Sequence, residues 1–240
     1  MSECGSCSGC AAVALPPPAQ VASSHVIALV GPPNSGKSTL FNRLTGLRQK
    51  VANFPGVTVE QRVGRARVGN SREITMIDLP GVYSLDARSE DERVTRDVLN
   101  GQMQGVPKPD AVLLILDCTN LGRHLLLAAP ILALNLPTLV ILNMADDLAS
   151  RGGSIDIPEL SCQLGAPVAL ISAAKGTGIE KVLQFMEGTA DGRSHVSKPK
   201  VELPILQDIP KCRSWAQQVG SDSRYLAPEQ IGRASCRERV

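Results

Sequence analysis

GPPNSGKST, residues 31–39, lies between an apolar run, His25 to Val30, and a helix-like segment from Lys37 to Gly46. The stretch fits G-x-x-x-x-G-K-[ST] in the strand–loop–helix setting that gives the pattern its meaning. Gly31 and Gly36 let the backbone curl, so that successive N–H groups and a helix N-terminus face a polyphosphate. Pro32, Pro33, Asn34, Ser35 and Thr39 complete the expected cradle. Lys37 is expected to reach the outer phosphates, and the Ser38 hydroxyl to ligate Mg²⁺. The competing reading is a chance Gly/Ser loop ahead of a helix. Three companions downstream weigh against it.

DLPG at 78–81 follows a strand candidate, Glu73 to Ile77. An aspartate at such a strand end holds Mg²⁺ through water, so Asp78 is the second expected metal residue. Leu79 and Pro80 line the turn, and Gly81 can offer its N–H to a γ-phosphate. NMAD at 143–146 ends another strand candidate, Thr138 to Leu142. Asn143 and Met144 belong to this loop. The Asp146 carboxylate can accept from the ring N–H and exocyclic amine of guanine. Adenine would leave that carboxylate unpaired, which is what rejects the wrong base. SAAK at 172–175 ends a third strand candidate, Val168 to Ile171, where backbone N–H groups of Ser172, Ala173 and Ala174 would meet guanine O6. Each tetrapeptide is a weak signal. Four in order, each at a strand end, specify a guanine-nucleotide site for GTP and GDP.

The 240 residues, 43% hydrophobic, suffice for one α/β domain with a substantial core. Aromatics make up only 2%, so that core must be Val, Ile, Leu and Ala. A formal charge of +2, without a basic run interleaved with aromatics, argues against a nucleic-acid partner. Seven scattered cysteines without a secretory signal point to a reducing compartment. Residues 125–142, LLLAAPILALNLPTLVIL, are long and uncharged enough to span a membrane. Pro130, Asn135 and Pro137 interrupt them, however, and the run leads straight into the base-reading motif. A buried helix, a turn at Asn135–Pro137 and a central strand fit better.

Four segments follow. Residues 1–23 form a cysteine-rich tail and proline-rich linker, residues 24–189 the α/β domain, and residues 190–229 a linker without a convincing second core. Within that linker, Trp215 stands close to the cationic Lys211 and Arg213, a weak sign of an approach to a membrane interface. QIGRASCRERV at 230–240 resembles the translation of a sequencing-library adaptor, a scar rather than biology. It carries Arg233, Arg237, Arg239 and Glu238, whose removal from totals of 25 basic and 23 acidic residues leaves a neutral balance. Within the domain, apolar strands alternate with helices, and Asp110 to Asp117 is a further buried strand. The alternation predicts a three-layer sandwich, a mainly parallel sheet with helices on both faces and ligand loops at the strand C-termini. Val59 to Val68 alternates like an edge strand, and Ile179 to Met186 reads as the last helix.

VANFPGVTVE at 51–60, DLPGVYSL at 78–85 and Met144 in the base motif resemble the G domain of bacterial ferrous-iron transporter B proteins. The likeness runs from about Val26 to Gly188. Ribosome-assembly and tRNA-modification GTPases share the Pro-Asn-x-Gly-Lys loop, but usually carry Thr-Pro-Gly and Thr-Arg where this chain has Leu79 and Val59. The resemblance implies a Ras-like P-loop G domain. Gly56, Val57 and Thr58 match the first switch, with Thr58 closing on Mg²⁺ and the γ-phosphate. Asn34 matches an asparagine that helps hold K⁺, completed by carbonyls near Ala52 and Phe54; the alternative role is bracing the loop. Lys37, Thr58, Gly81 and Asn34 are then the expected catalytic set.

Val82 stands where many small GTPases carry the glutamine that orients water. An aliphatic side chain cannot do this, so slow turnover is expected. Glu90, Asp91 and Glu92, in the second switch, either supply a carboxylate or form a solvated helix start, the reading their sequence favours. Cys4, Cys7 and Cys10 form C-x2-C-x2-C, either a tail of free thiols or a metal-handling one. Cys118 and Cys162 look like small core residues, and Cys212, in IPKCRSW, belongs to no motif. His124 and His195 read as surface or helix-end residues. The implied whole is a GTP-hydrolysing domain on the cytoplasmic face of the bacterial inner membrane. It would be joined to a transmembrane permease domain beyond this chain, with small cytoplasmic accessory proteins and oligomers left open. The fragment alone would be soluble. The rival is a soluble regulatory GTPase of the Era or tRNA-modification kind.

Overall fold

The structure, a computed structural model, describes residues 25–47, 49–69, 72–193, 199–204 and 209–229. The Cys4, Cys7 and Cys10 motif, the proline-rich linker, His195 and residues 230–240 lie outside the described residues. Seven strands run in the order β2-β3-β4-β1-β5-β6-β7. They are β1 (Val26–Val30), β2 (Gln49–Asn53), β3 (Glu60–Val68), β4 (Arg72–Asp78), β5 (Ala111–Asp117), β6 (Thr138–Asn143) and β7 (Val168–Leu170). Strands β4, β1, β5, β6 and β7 pair in parallel, whereas β2 and β3 join antiparallel at one side.

Strand β1 is buried at every residue, as a strand covered on both faces must be. Because successive side chains point to opposite faces, Val26, Ala28 and Val30 enter one core while Ile27 and Leu29 enter the other. The second core is closed by α1 (Lys37–Thr45) and α6 (Ile179–Ala190), through Leu40, Phe41, Val182 and Met186. The first core is closed by α2 (Glu90–Asn100), α3 (Leu121–Leu132) and α5 (Ile157–Leu164). A short α4 (Ala145–Ser150) follows β6.

Helix α2 starts as its sequence dictates. Ser89 accepts from the Glu92 N–H at 3.1 Å, and Glu90, Asp91 and Glu92 occupy the positive first turn. Residues 125–142 fold as expected, with α3 carrying Pro130 inside it, a left-handed Asn135 turning the chain, and β6 following. No helix among the described residues is long and apolar enough to cross a membrane.

Three expectations are corrected. The edge strand is β2, not the 59–68 segment. QKVAN has no alternating apolar pattern and is largely exposed, so nothing in its hydrophobicity marks it as a strand. Strand β3 lies inside it, with Ala66 and Val68 buried and Arg65 and Arg67 outward. Second, α6 is not the last helix. Helix α7 (Ile209–Asp222) packs on α3 and α5, so this part of the 190–229 segment is docked structure rather than linker. Its buried Cys212, Trp215, Ala216 and Val219 follow i, i+3, i+4, i+7, a helical stripe hidden by the polar composition around it. Third, Cys118 is buried but Cys162 is exposed. Helix α5 buries Leu160, Gln163 and Leu164, and position 162 falls on the outward side.

Candidate nucleotide site

The 31–36 loop leaves β1 at the middle of the sheet, beside β5. Gly31 is required there, because a Cβ would stand 2.3 Å from the Ile115 carbonyl. Ser35 is buried and its Oγ donates to the Pro32 carbonyl at 2.8 Å, which holds the curl. Gly36 has φ 86°, and a Cβ there would sit 2.1 Å from Asn143 Nδ2. Its lack of a side chain leaves the first N–H groups of α1 without a side-chain cap, as an anion-binding helix start requires.

Lys37, Ser38, Thr58 and Asp78 open onto one cleft of about 460 Å³, together with Leu79 and Pro80. Lys37 Nζ donates to Asp78 Oδ1 at 2.6 Å. Burial pushes the Asp78 carboxyl up from the usual carboxylate range, and Lys37 and Arg62 oppose that shift. Two hydroxyls and a carboxylate on one cleft are hard oxygen donors, the set that suits Mg²⁺. Thr58 is exposed and its Oγ1 donates to Glu90 Oε2 at 3.3 Å, tying the two switch segments together. Behind it, Phe54 is buried and its N–H donates to the Val59 carbonyl at 2.9 Å. Gly56, at φ 75°, makes the turn before Val57 and Thr58. Gly81 packs against the loop, where a Cβ would lie 3.1 Å from Pro33 N. Val82 is buried and donates its N–H to the Gly31 carbonyl at 3.2 Å, so its side chain serves the core.

Asn34 adopts φ 62° and is exposed. Its side chain makes no hydrogen bond among the described residues. Ala52 lies in the edge strand, and the Phe54 carbonyl accepts from the Val57 N–H.

The 143–146 and 172–175 loops, expected to read the base, are stitched to the 31–36 loop by Asn143. Its Nδ2 donates to the Ser35 carbonyl at 2.9 Å, and its Oδ1 accepts from the Ala173 N–H at 2.8 Å. Asn143 is buried, and its main work in this structure is positioning. Met144 holds the left-handed region at φ 67°, uncommon for a side chain with a Cβ, which turns the chain sharply into α4. Asp146 lies at the start of α4. A hydrogen bond from Ser172, aided by Lys175 at 3.2 Å, holds its carboxyl below the usual range, ionised at neutral pH.

Sequence reasoning missed Arg62, which faces Asp78 in the strand register, and Arg43, which reaches the 172–175 loop from α1. Neither lies in a motif. His124, read as a surface or helix-end residue, is at a helix start but buried, and its Nδ1 accepts from the Asp117 N–H at 3.0 Å. Burial moves its pKa down. A larger groove of about 880 Å³ lies beside β2 and β3 and contains none of the expected phosphate- or metal-binding residues. Chemistry, not size, selects the smaller cleft.

A phosphate loop at the C-terminal end of the central strand, a hard-donor cleft and a carboxylate-bearing base loop define a guanine-nucleotide-binding Ras-like P-loop G domain. Residues 25–186 match the family described as ferrous iron transport protein B. The Fe(2+) transporter FeoB of Salmonella typhimurium is 41% identical over 187 residues, covering 76% of this chain and 23% of the relative. A Porphyromonas gingivalis Fe(2+) transport protein A/Fe(2+) transporter FeoB fusion protein is 37% identical, covering 74% of this chain and 21% of its own length. Among solved structures, the cytosolic domain of L. pneumophila FeoB gives a TM-score of 0.65 at 39% identity, covering 75% of this chain and 68% of that one. The cytosolic domain of T. maritima FeoB in its GMPPNP form gives 0.65 at 36% identity, covering 73% of this chain and 66% of that one. The chain belongs to the ferrous iron transport protein B family, and the matched region is its N-terminal G domain. It spans less than a quarter of the length of these curated relatives.

Proposed function

We propose that this chain binds GTP, hydrolyses it slowly with Mg²⁺, and couples its nucleotide state to Fe(II) uptake through a membrane permease domain in the intact protein. The observation that carries the reading is the convergence of Lys37, Ser38, Thr58 and Asp78 on one cleft, with the Asp146 loop tied to the same phosphate loop by Asn143. Lys37 and the α1 N–H groups bind the phosphates, Gly81 offers its N–H to the γ-phosphate, and Thr58 brings the first switch over the cleft. Ser38, Thr58 and Asp78 would hold Mg²⁺, which neutralises charge on the β- and γ-phosphates when bound. Val82 cannot orient water, so backbone donors and the closing switch carry the hydrolytic step and turnover is slow. Family membership supports the iron reading and a cytoplasmic position for this domain beneath the inner membrane.

Asn34 is proposed as the ligand of a K⁺ ion beside the phosphates, since its side chain is exposed and uncommitted. Hydrolysis is expected to run about tenfold faster in potassium than in sodium, because charge stabilisation of this kind acts mainly in the transition state. Asn34→Ala should remove most of that difference and leave GDP affinity nearly intact. Steady-state phosphate release in matched chloride salts measures it, and equal rates in both salts would discard the potassium site. Chelating Mg²⁺ in the same assay should abolish hydrolysis. In the intact protein, a Lys37→Ala variant, which loses phosphate binding, should fail to import Fe(II).

A further inference from the structure

We propose that Arg43 is a positioning residue for guanine recognition, acting through the 172–175 loop; this rests on the guanine-nucleotide reading above. Arg43 stands in the last turn of α1, outside every nucleotide motif. Its Nε donates to the Ala173 carbonyl at 2.8 Å and its Nη2 to the Ala174 carbonyl, also at 2.8 Å. One rigid fork therefore grips two successive carbonyls, a geometry that guanidinium has and an ammonium lacks. The loop closes tightly on that fork. Gly176, at φ +81°, comes so near that a Cβ would lie 2.6 Å from Arg43 Nη1.

The grip determines where the loop's donors point. Of the three N–H groups expected to meet guanine O6, that of Ser172 donates to the Thr177 carbonyl at 3.1 Å and that of Ala173 to Asn143 Oδ1 at 2.8 Å, which leaves Ala174 as the O6 donor. Lys175 N–H turns to Ser172 Oγ at 3.3 Å. The Ala174 N–H shares a planar trans peptide with the Ala173 carbonyl, so fixing that carbonyl toward Arg43 fixes the N–H in the opposite sense. Asn143 anchors the loop to the phosphate loop while Arg43 anchors it to the far end of α1. The helix that begins at the phosphates thus also sets the backbone that meets guanine O6. Without Arg43 the two carbonyls can rotate, and the O6 donor loses its preset direction.

The test pairs protein variants with single-atom changes in the ligand. GDP, ADP, 6-thioguanosine diphosphate and inosine diphosphate are titrated into the folded chain, wild type, Arg43→Ala and Arg43→Lys. The 6-thio compound weakens the O6 acceptor but keeps the ring N–H and amine read by Asp146. Inosine diphosphate keeps O6 and lacks the amine. Wild type is expected to prefer GDP over the 6-thio compound by about tenfold, one good hydrogen bond. Arg43→Ala should shrink that preference to about twofold and leave the inosine penalty unchanged, with Arg43→Lys between them, since one ammonium can hold one carbonyl. Undiminished 6-thio preference in Arg43→Ala would overturn the proposal and leave Arg43 a simple tether. A wild type that binds ADP as well as GDP would instead overturn the guanine reading itself.

Discussion

Replacing Asp146 with Asn is expected to lower GTP affinity by roughly thirty- to a thousandfold, about 2–4 kcal/mol, while raising affinity for xanthosine triphosphate. The carboxylate stands at the first turn of α4, steadied by Ser172 and by Lys175 at 3.2 Å. Its pKa is held down, so it accepts two hydrogen bonds as a full anion at neutral pH. An amide presents a donor to the guanine ring N–H or amine, which costs both the lost bond and an unpaired group. Xanthine has a carbonyl in place of the amine, and that carbonyl can accept from the new amide. Calorimetric titration with both nucleotides checks the exchange. Unchanged GTP binding in Asp146→Asn would show that this loop does not read the base, however well the phosphate loop is formed.

Trp215→Ala should destabilise the chain by about 3–5 kcal/mol, the range for removing a large buried aromatic. The sequence places Trp215 next to Lys211 and Arg213, which reads as an approach to a membrane interface. In the folded chain the indole is instead only 5% exposed and lies in the core beneath α3 and α5. Its Nε1 has no hydrogen-bond partner within the described residues. Trp215→Phe should therefore be far milder than Trp215→Ala, since it removes an unsatisfied donor along with some area. The chain has one tryptophan, so its fluorescence reports α7 docking directly. Urea unfolding followed by circular dichroism measures both effects, and the fluorescence follows α7 in the wild type. Equal midpoints for Trp215→Ala and wild type would place α7 outside the cooperative core.

The two cases divide according to how local the signal is. Asp146, Lys37, Ser38 and Asp78 are legible as candidates because each sits in a short pattern whose spacing matches a strand end and a loop. Their expected roles need only nearby backbone to be formed. Trp215 is misleading because its surroundings in sequence are cationic, whereas its surroundings in space are α3 and α5. The i, i+3, i+4, i+7 stripe through Cys212, Trp215, Ala216 and Val219 is present but brief, and the polar residues between mask it. The edge strand β2 escapes notice for a related reason. An exposed strand held by backbone pairing to β3 needs no apolar alternation, so QKVAN carries no hydrophobic signature.

By itself the sequence determined the α/β sandwich, most of its strands and helices up to α6, the phosphate loop, the candidate metal-ligating oxygens and the candidate base-reading aspartate. Periodic burial and motif spacing are local properties, and the chain states them directly. Only the tertiary structure decided that Asn143 joins the two halves of the site, that Arg43 grips the Ala173 and Ala174 carbonyls from 130 residues away in the chain, and that α7 completes the first core. Those contacts depend on which strands become neighbours and which helix faces meet. That is fixed by the joint burial of both sheet faces, a property of the whole chain and of no single stretch of it.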